Sequence, residues 1–506
     1  MAVILILRVG SLDRLGTQQP TQQDSVSKGA KNRMRISSQK ISVAGVLLVM
    51  AAGAVSGSTQ GHPPESKNMR LVGMHDLQGR SAYQPVIHRQ GDRWIAYVGT
   101  QRGRGVAVHN PLAGVNEGSG TFIIDVTDPT RPATLFHIPG DRTNPTKVSN
   151  AQMVRVCDRG GERYLLRSAG DTRHEVWNVT NPTAPRFVVT VADGLKSIHK
   201  SWWECDSGIA YIVAEDPAWR TRGTKIFDLS NPSAPVFIRD FGLVGQEPGS
   251  QVEPVPAAIH GPISYGNRVY FAYGTGKDGV LQIVDREKLL KGEATPTPKN
   301  LLYPEVGRLD MPSFWGGHTS FPVLGIEVPD FQAERYGRVR DFVVLPSEIN
   351  SDGVDCQSQD SRDMVFLIDI TDETKPFPVA NFQVPESAGN FCQRGGRFGP
   401  HAISESFTPI YYKRIVFVSY FNAGVRAMDI RDPFHPTEVA FYIPATTKNT
   451  EPRCGKIGDQ ENCKVAIQTE NVEVDDRGFI YMVDDTSTGM HILELTGAAR
   501  SIANFP

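Results

Sequence analysis

VFLIDITDETKPFPVANFQV, residues 365–384, reads as a strand, a turn rich in Asp and Thr, a proline and a second strand. Alternating apolar residues on either side of a turn cluster describe a β-hairpin. The same phrase recurs at 121–139 (TFIIDVTDPTRPATLFHIP), 174–191 (HEVWNVTNPTAPRFVVTV), 224–241 (TKIFDLSNPSAPVFIRDF) and 425–444 (VRAMDIRDPFHPTEVAFYIP). Asp or Asn ahead of Pro closes the turn by side-chain-to-backbone hydrogen bonding, and Pro presets φ where the chain re-enters a strand. A hairpin written five times is a repeat, and a repeat governs the fold.

Each unit spans roughly 45–80 residues and holds four strand-like segments, as a β-propeller blade does. In HGPISYGNRVYFAYGTGKDGVLQIVD (260–285) an inner strand begins at His260, turns at YGN, returns, loops and leaves as VLQIVD. Third strands are legible at FIIDV, EVWNV, KIFDL, LQIVD, VFLIDI, VRAMDI and HILEL, which makes seven blades. The fourth unit replaces the Asp-Pro turn with REKLLKGEATPTP, whose residues 286–293 are the best short helical candidate. The last unit, ending LTGAARSIANFP, has little left for a fourth strand, while MRLVGMHDL (69–77) reads as a fourth strand with no blade of its own. The expectation is an all-β, seven-bladed propeller closed by that N-terminal strand pairing with the last blade, which removes exposed sheet edges.

The phrase (L/V)-x-(I/V)-x-D-(V/I/L)-(T/S)-(D/N)-P-x-x-P resembles the LVIVD-repeat family of exported bacterial β-propellers, over most of residues 69–496. The resemblance implies an exported scaffold and assigns no chemistry, because propellers serve as enzymes, adhesins and docking platforms alike.

Charge is nearly balanced, 53 basic against 55 acidic residues, and no Lys/Arg run stands out. The electrostatic footprint of a nucleic-acid binder is missing. Abundant Gly (48) and Pro (35) suit tight turns. Residues 34–61, MRISSQKISVAGVLLVMAAGAVSGSTQG, have basic residues, an apolar run from Ile41 to Val55 and then small residues. That is the order of a secretory signal peptide, and the run is short for a membrane span. We therefore divide the chain into a dispensable extension (1–33, with Met34 as the natural start), a signal peptide (34–57), a linker (58–68) and the propeller (69–506). The expected location is periplasmic or secreted, with no transmembrane span after signal cleavage. Six cysteines suit disulfides in an exported chain. Cys454 and Cys463 bracket a short loop, Cys157 and Cys205 occupy similar places in consecutive units, and Cys356 is expected to tie to Cys392. No CxxC occurs, so a thiolate zinc site is not expected.

Aligning the units by their inner strands brings out a second pattern. His88, His199, His260, His318 and His401 each stand at the start of an inner strand, with Gln152 in the second unit and Glu470 or Asn471 in the last. Inner strands line a propeller's axis, so the five imidazoles are expected at one mouth of the channel. Loops after the second strands open onto that mouth and bring Asp171, Glu215, Asp216, Lys277, Asp278, Glu348, Asp484 and Asp485. Neutral imidazole is a common ligand for Zn, Cu, Fe and Ni, and three or four such nitrogens with an open position make a catalytic metal site. The predicted ligands are His88, His199, His260, His318 and His401 around a divalent transition metal (Zn, Fe, Cu or Mn). Glu215, Glu348, Asp485 and Tyr273 are the candidate catalytic groups.

A metal-dependent hydrolase, lyase or oxygenase acting on a small molecule or saccharide follows. The competing reading is a non-catalytic cell-surface or periplasmic binding propeller, whose histidines only pack between blades. Carotenoid cleavage oxygenases and pectate-type lyases on propellers are similar in architecture or hub chemistry, but their strand motifs are not present here. Trp202 and Trp203 are expected in the core. The Gly-rich insertion 99–120 lacks a phosphate-loop Lys-Ser/Thr and reads as a lid or mouth wall, as does 347–363.

Overall fold

A computed structural model describes residues 62–275, 278–312, 315–348, 363–457 and 460–506. Seven four-stranded antiparallel sheets are arranged as the blades of a β-propeller. All seven third strands fall where the sequence puts them: Gly120–Asp125, Arg173–Asn178, Gly223–Asp228, Val280–Asp285, Val365–Asp369, Val425–Asp429 and Met490–Leu495.

The repeated turn has a simple mechanical basis. The acid or amide ending each third strand accepts the amide two residues on: Asp125 from Thr127 (2.9 Å), Asn178 from Thr180 (3.1 Å), Asp228 from Ser230 (2.7 Å), Asp369 from Thr371 (2.8 Å) and Asp429 from Arg431 (3.0 Å). The second acid or amide of each phrase does the same: Asp128, Asn181, Asn231, Asp372 and Asp432 each accept the amide two residues ahead. Two successive side-chain turns swing the chain into the outer strand. In these five blades the pairing of third and fourth strands carries a bulge, which bends the outer strand. The fourth blade uses its Asp differently. Asp285 accepts from the Lys288 amide (2.9 Å) and caps the helix Arg286–Lys291, within the stretch singled out as helical.

Ring closure is as expected. Met69–His75 pairs with Met490–Leu495 as the outer strand of the seventh blade, Met69 opposite Leu495 and His75 opposite Met490. One boundary needs correction: the segment 58–68, read as a linker, contains the strand Glu65–Lys67, which pairs with Thr437–Ile443 of the sixth blade. Residues 1–57 lie outside the described residues.

The core sits between neighbouring blades. Tyr211 and Val213 of the third pack with Val269, Phe271 and Tyr273 of the fourth, and Phe122 and Ile124 of the first meet Tyr481 and Val483 of the seventh. Each such buried side chain contributes about 1.5–3 kcal/mol. Cys157–Cys205 links the second and third blades, and Cys454–Cys463 closes the hairpin Pro452–Ile457/Gln460–Val465. The pairing expected of Cys392 involves Cys356, which lies outside the described residues. No helix among the described residues is long and apolar enough to cross a membrane.

Candidate metal centre

Inner strands begin at the axis, and three of them begin with a bulge. The register slips between Ala82 and Gln84, between Ile259 and Gly261, and between Thr469 and Asn471. The extra residues are Tyr83, His260 and Glu470, each re-aimed by the bulge toward the channel. Gln152, His199, His318 and His401 hold the matching place just ahead of the inner segments of the other four blades. In blade order the hub therefore reads Tyr, Gln, His, His, His, His, Glu.

The four imidazoles form a continuous arc. Ring centroids are 4.5 Å apart for His199 and His260, 3.5 Å for His260 and His318 (stacked), and 4.3 Å for His318 and His401. The Tyr83 hydroxyl reaches across the axis to 3.2 Å from His199 Nε2 and 3.5 Å from His260 Nε2. His260, His318 and His401 are all at most 2 % exposed. Burial pushes their pKa values far below the ordinary imidazole range, His401 to about 4, so the cluster is neutral.

Backbone contacts fix the tautomers. His260 Nδ1 donates to the His318 carbonyl oxygen (2.8 Å), and His401 Nδ1 donates to the Glu470 carbonyl oxygen. Both rings thus turn an unprotonated Nε2 inward. Such outer contacts orient metal-binding histidines. His318 bonds Thr319 Oγ1 through Nδ1 (2.8 Å), and its buried Nε2 has no hydrogen-bond partner among the described residues. His199 and His260 bring their Nε2 atoms to 2.6 Å, with the Gln152 amide on His199 Nδ1 at 2.5 Å. A Gln side chain serves either tautomer of His199, because rotating the amide exchanges donor for acceptor.

Glu348 completes the site. It follows the second strand of the fifth blade, Val339–Pro346, and its two oxygens lie 3.8 Å from His318 Nε2 and from His401 Nε2. Arg397 holds it at 2.9 Å, reaches Glu470 at 3.6 Å, and stacks on Phe421 with its guanidinium carbon 3.8 Å from the ring centroid. Donor atoms of His260, His318 and Glu348 all fall within 4.8 Å of one another, and these residues could hold a metal ion. Three ligands about 2.1 Å from one ion stand about 3.4–3.6 Å from one another, so these groups would draw together by up to about an ångström on binding. The donor set of imidazole with carboxylate suits Zn, Fe, Cu or Mn. An orphaned buried nitrogen is costly without a partner, and an ion would supply one to His318.

Above the ring lies an open cavity of about 710 Å³. Gln101, Thr275, Glu348 and Asp485, each from a loop after a second strand, line it. Gln101 and Arg102 come from the Gly-rich insertion 99–120, which forms part of the mouth wall. Beneath the ring, buried Lys200 bonds Glu405 and Thr319 Oγ1 (3.2 Å), and Arg155 bonds the other Glu405 oxygen at 2.5 Å. Nearby Glu473 accepts from the Glu405 amide (3.1 Å), and burial beside Glu405 pushes it up to about 8. These side chains are buried and stand one to four residues past the hub positions of their blades.

Two predicted site residues are elsewhere. His88 lies five residues past Tyr83 on the same strand, about 16 Å away at the usual strand rise; its Nε2 pairs with Asp158 (2.9 Å) near the surface. The first blade's hub residue is Tyr83 instead. Tyr273 is fully buried between the third and fourth blades and donates to Gln282 Oε1 (3.0 Å), so it belongs to the core. Glu215 stays at the rim, where it accepts from Ser197 Oγ (3.3 Å). Asp485 lines the cavity, bonded to Ser81 Oγ (2.8 Å), Gln101 and Arg453. Of the other rim acids, Asp171 pairs with Arg102 (2.9 Å), Asp216 with Lys225 (2.8 Å), and Asp484 caps its own loop by accepting from Gln468 and Thr486 amides. Lys277 lies outside the described residues. Trp203 is buried, and Trp202 donates to Ser264 Oγ (2.9 Å) beneath Arg155. Arg222, Arg397 and Arg453 also line the cavity, and the repeat comparison had no means of finding them.

No family model matches the sequence, and no curated protein does. Among solved structures the chain is similar to hydrazine synthase from Kuenenia stuttgartiensis, at 10 % identity and TM-score 0.46, covering 88 % of this chain and 100 % of that one. It is also similar to Sqt1 from Chaetomium thermophilum (10 %, TM-score 0.45, 85 % and 98 %) and to a protein from Lactobacillus plantarum (12 %, TM-score 0.44, 84 % and 94 %). Likeness at this level carries nothing about function, and the fold rests on the seven sheets themselves.

Proposed function

We propose that the protein is an exported propeller of the LVIVD-repeat type, holding a divalent transition metal at its axial mouth and acting as an enzyme on a small molecule or saccharide. The observation that carries this reading is the orientation of the buried imidazoles: His260 and His401 are pinned through Nδ1 so that Nε2 faces the axis, and His318 Nε2 faces it unpartnered. Packing between blades alone needs no such convergence.

His199, His260, His318 and His401 would hold the ion with Glu348. A metal bound there supplies Lewis acidity at the floor of an open cavity. Around it the chain's own groups have separate tasks. Arg397 fixes Glu348 and Glu470, Gln152 orients His199, and the Tyr83 hydroxyl is a hydrogen-bond donor directed at the reacting centre. Asp485, on the cavity wall and held there by Ser81, Gln101 and Arg453, is the candidate base for a substrate proton. Export is supported by the signal-like segment 34–57 and by disulfides, which persist in oxidising compartments.

Elemental analysis of the purified protein tests the reading. One equivalent of Zn, Fe, Cu or Mn is expected, with affinity lowered at least about 100-fold in a His260→Ala/His318→Ala double variant. Stoichiometric metal surviving that double change would remove the assignment.

A further inference from the structure

Four arginines line the cavity over the histidine arc, and three already have carboxylate partners. Arg397 pairs with Glu348 and Glu470, Arg453 with Asp485, and Arg102 with Asp171. Arg222 has none. Its Nε donates to the Ile259 carbonyl oxygen (2.7 Å), while the Ile259 amide donates back to the Arg222 carbonyl oxygen (3.2 Å). This reciprocal clasp ties the guanidinium to the residue preceding His260. Both Nη nitrogens are left with no hydrogen-bond or ion-pair partner among the described residues.

We infer that Arg222 is the recognition site for an oxyanion group of the substrate, a carboxylate or a phosphate, beside the proposed metal. A guanidinium fixed through Nε presents its Nη pair as a rigid fork, the geometry that takes either oxyanion through two parallel bonds. Its position is next to the reacting centre, for it lines the same cavity as His199, His260 and Tyr83 and is bonded to the residue preceding His260. Of the acids at this side of the mouth, Glu348 is already bound by Arg397, and Glu215 makes no ion pair with Arg222. Four arginines and four carboxylates, Glu348, Glu451, Glu470 and Asp485, line the cavity, and Asp171 adds a fifth acid as the partner of Arg102. Every other arginine of the cavity has its own carboxylate, so a neutral saccharide would leave the Arg222 charge unmatched beside the ion where an anion would satisfy it. The inference narrows the substrate class of the function proposed above and rests on that reading for its chemistry, though not for anion binding itself.

Calorimetric titration of the whole protein with inorganic phosphate and with succinate, each with zinc or with a chelator present, tests it. Saturable binding of one of them in the millimolar range or tighter is expected, and which one distinguishes phosphate from carboxylate. Arg222→Ala should weaken that binding about tenfold or more, the loss of a paired charge-assisted contact, and Arg222→Lys by less. Metal content should match the unaltered protein in both. Absence of saturable binding by either anion, or equal binding by Arg222→Ala, overturns the inference. Should Arg222→Ala not fold, Arg222→Lys and Arg222→Gln carry the comparison, with Lys expected to bind more tightly than Gln. The two readings fail separately: anion binding through Arg222 without metal uptake removes only the metal, and metal uptake with anion binding indifferent to Arg222 removes only the oxyanion site.

Discussion

Tyr83 and His88 share one strand, and only the first meets the axis. The repeat showed that some residue of each inner strand faces the hub, but matching histidine to histidine shifted the first blade by five positions. Register, set by the bulge at Tyr83, is what decides, and a bulge leaves no mark in residue type. Arg222 and Arg397 escaped for a related reason, since each belongs to one blade and a comparison between blades reports only what they share. His88→Ala should therefore leave metal content unchanged and cost no more than about 1 kcal/mol, as expected for a pair near the surface. His401→Ala should lower metal affinity at least about tenfold; equal metal content in the two variants would sink the distinction. Away from the site, His137 and His491 are held at about 4 and His174 at about 3, all by burial. An unfolded chain protonates these rings near 6.5. The folded pKa values are depressed, so their stabilising contribution is present above about 6.5 and lost as pH falls toward about 4. Buried Glu473, raised to about 8, works in the opposite direction between about 4.3 and 8. Both ring nitrogens of His174 are buried without a hydrogen-bond partner among the described residues. His174→Leu should accordingly gain about 1–2 kcal/mol over the unaltered protein at pH 5 in urea unfolding, and a loss there would contradict the assignment of a neutral, unbonded ring.

At the scale of elements the text was easier to read, because a turn that depends on Asp or Asn at two fixed places must spell them each time. Asp125 with Asp128 and Asp228 with Asn231 accept backbone amides as that spelling requires. The fourth blade shows the limit of the rule: Asp285 is spelled alike but caps a helix, because the residues after it, REKLLK, favour helix over turn. The sixth blade shows another, since its inner segment at His401 makes only an isolated bridge, Ile403 with Val418, and reads as a strand nonetheless. Pairing between blades is harder to read than pairing within them. Cys157 and Cys205 were matched through their equivalent places, and their bond closes a loop with a sequence separation of 48. Removing it as Cys157→Ala/Cys205→Ala should cost about 2–4 kcal/mol, chiefly by freeing the unfolded chain. The seven sheets should survive, so circular dichroism of the double variant should match the parent while its urea midpoint falls. An unchanged midpoint would show that the second and third blades need no covalent tie.

Across the whole molecule, stability depends on the ring having no free edge. The seventh blade is the point at risk, because its outer strand, Met69–His75, is separated from its partner Met490–Leu495 by nearly the full length of the propeller. The seam it helps seal contains Phe122, Ile124, Tyr481, Val483 and Ile492, with Val72 packed against them. The short strand Glu65–Lys67 is attached differently, to the outside of the sixth blade through three residue pairs. Two truncations separate these roles. A chain starting at Met69 should keep its cooperative unfolding and lose only a small part of its stability, since Glu65 and Lys67 are exposed or nearly so. A chain starting at Ala82 uncovers the edge of Met490–Leu495 and should aggregate, as unpaired long strands do. Metal uptake gives the functional counterpart. Tyr83 and Glu470 come from the two blades that meet at this seam, and each touches the imidazole arc, Tyr83 at His199 and Glu470 at His401, so opening it should lose bound metal along with soluble protein. If the shorter chain stayed monomeric and kept its metal, closure by the N-terminal strand would not be what holds the hub together.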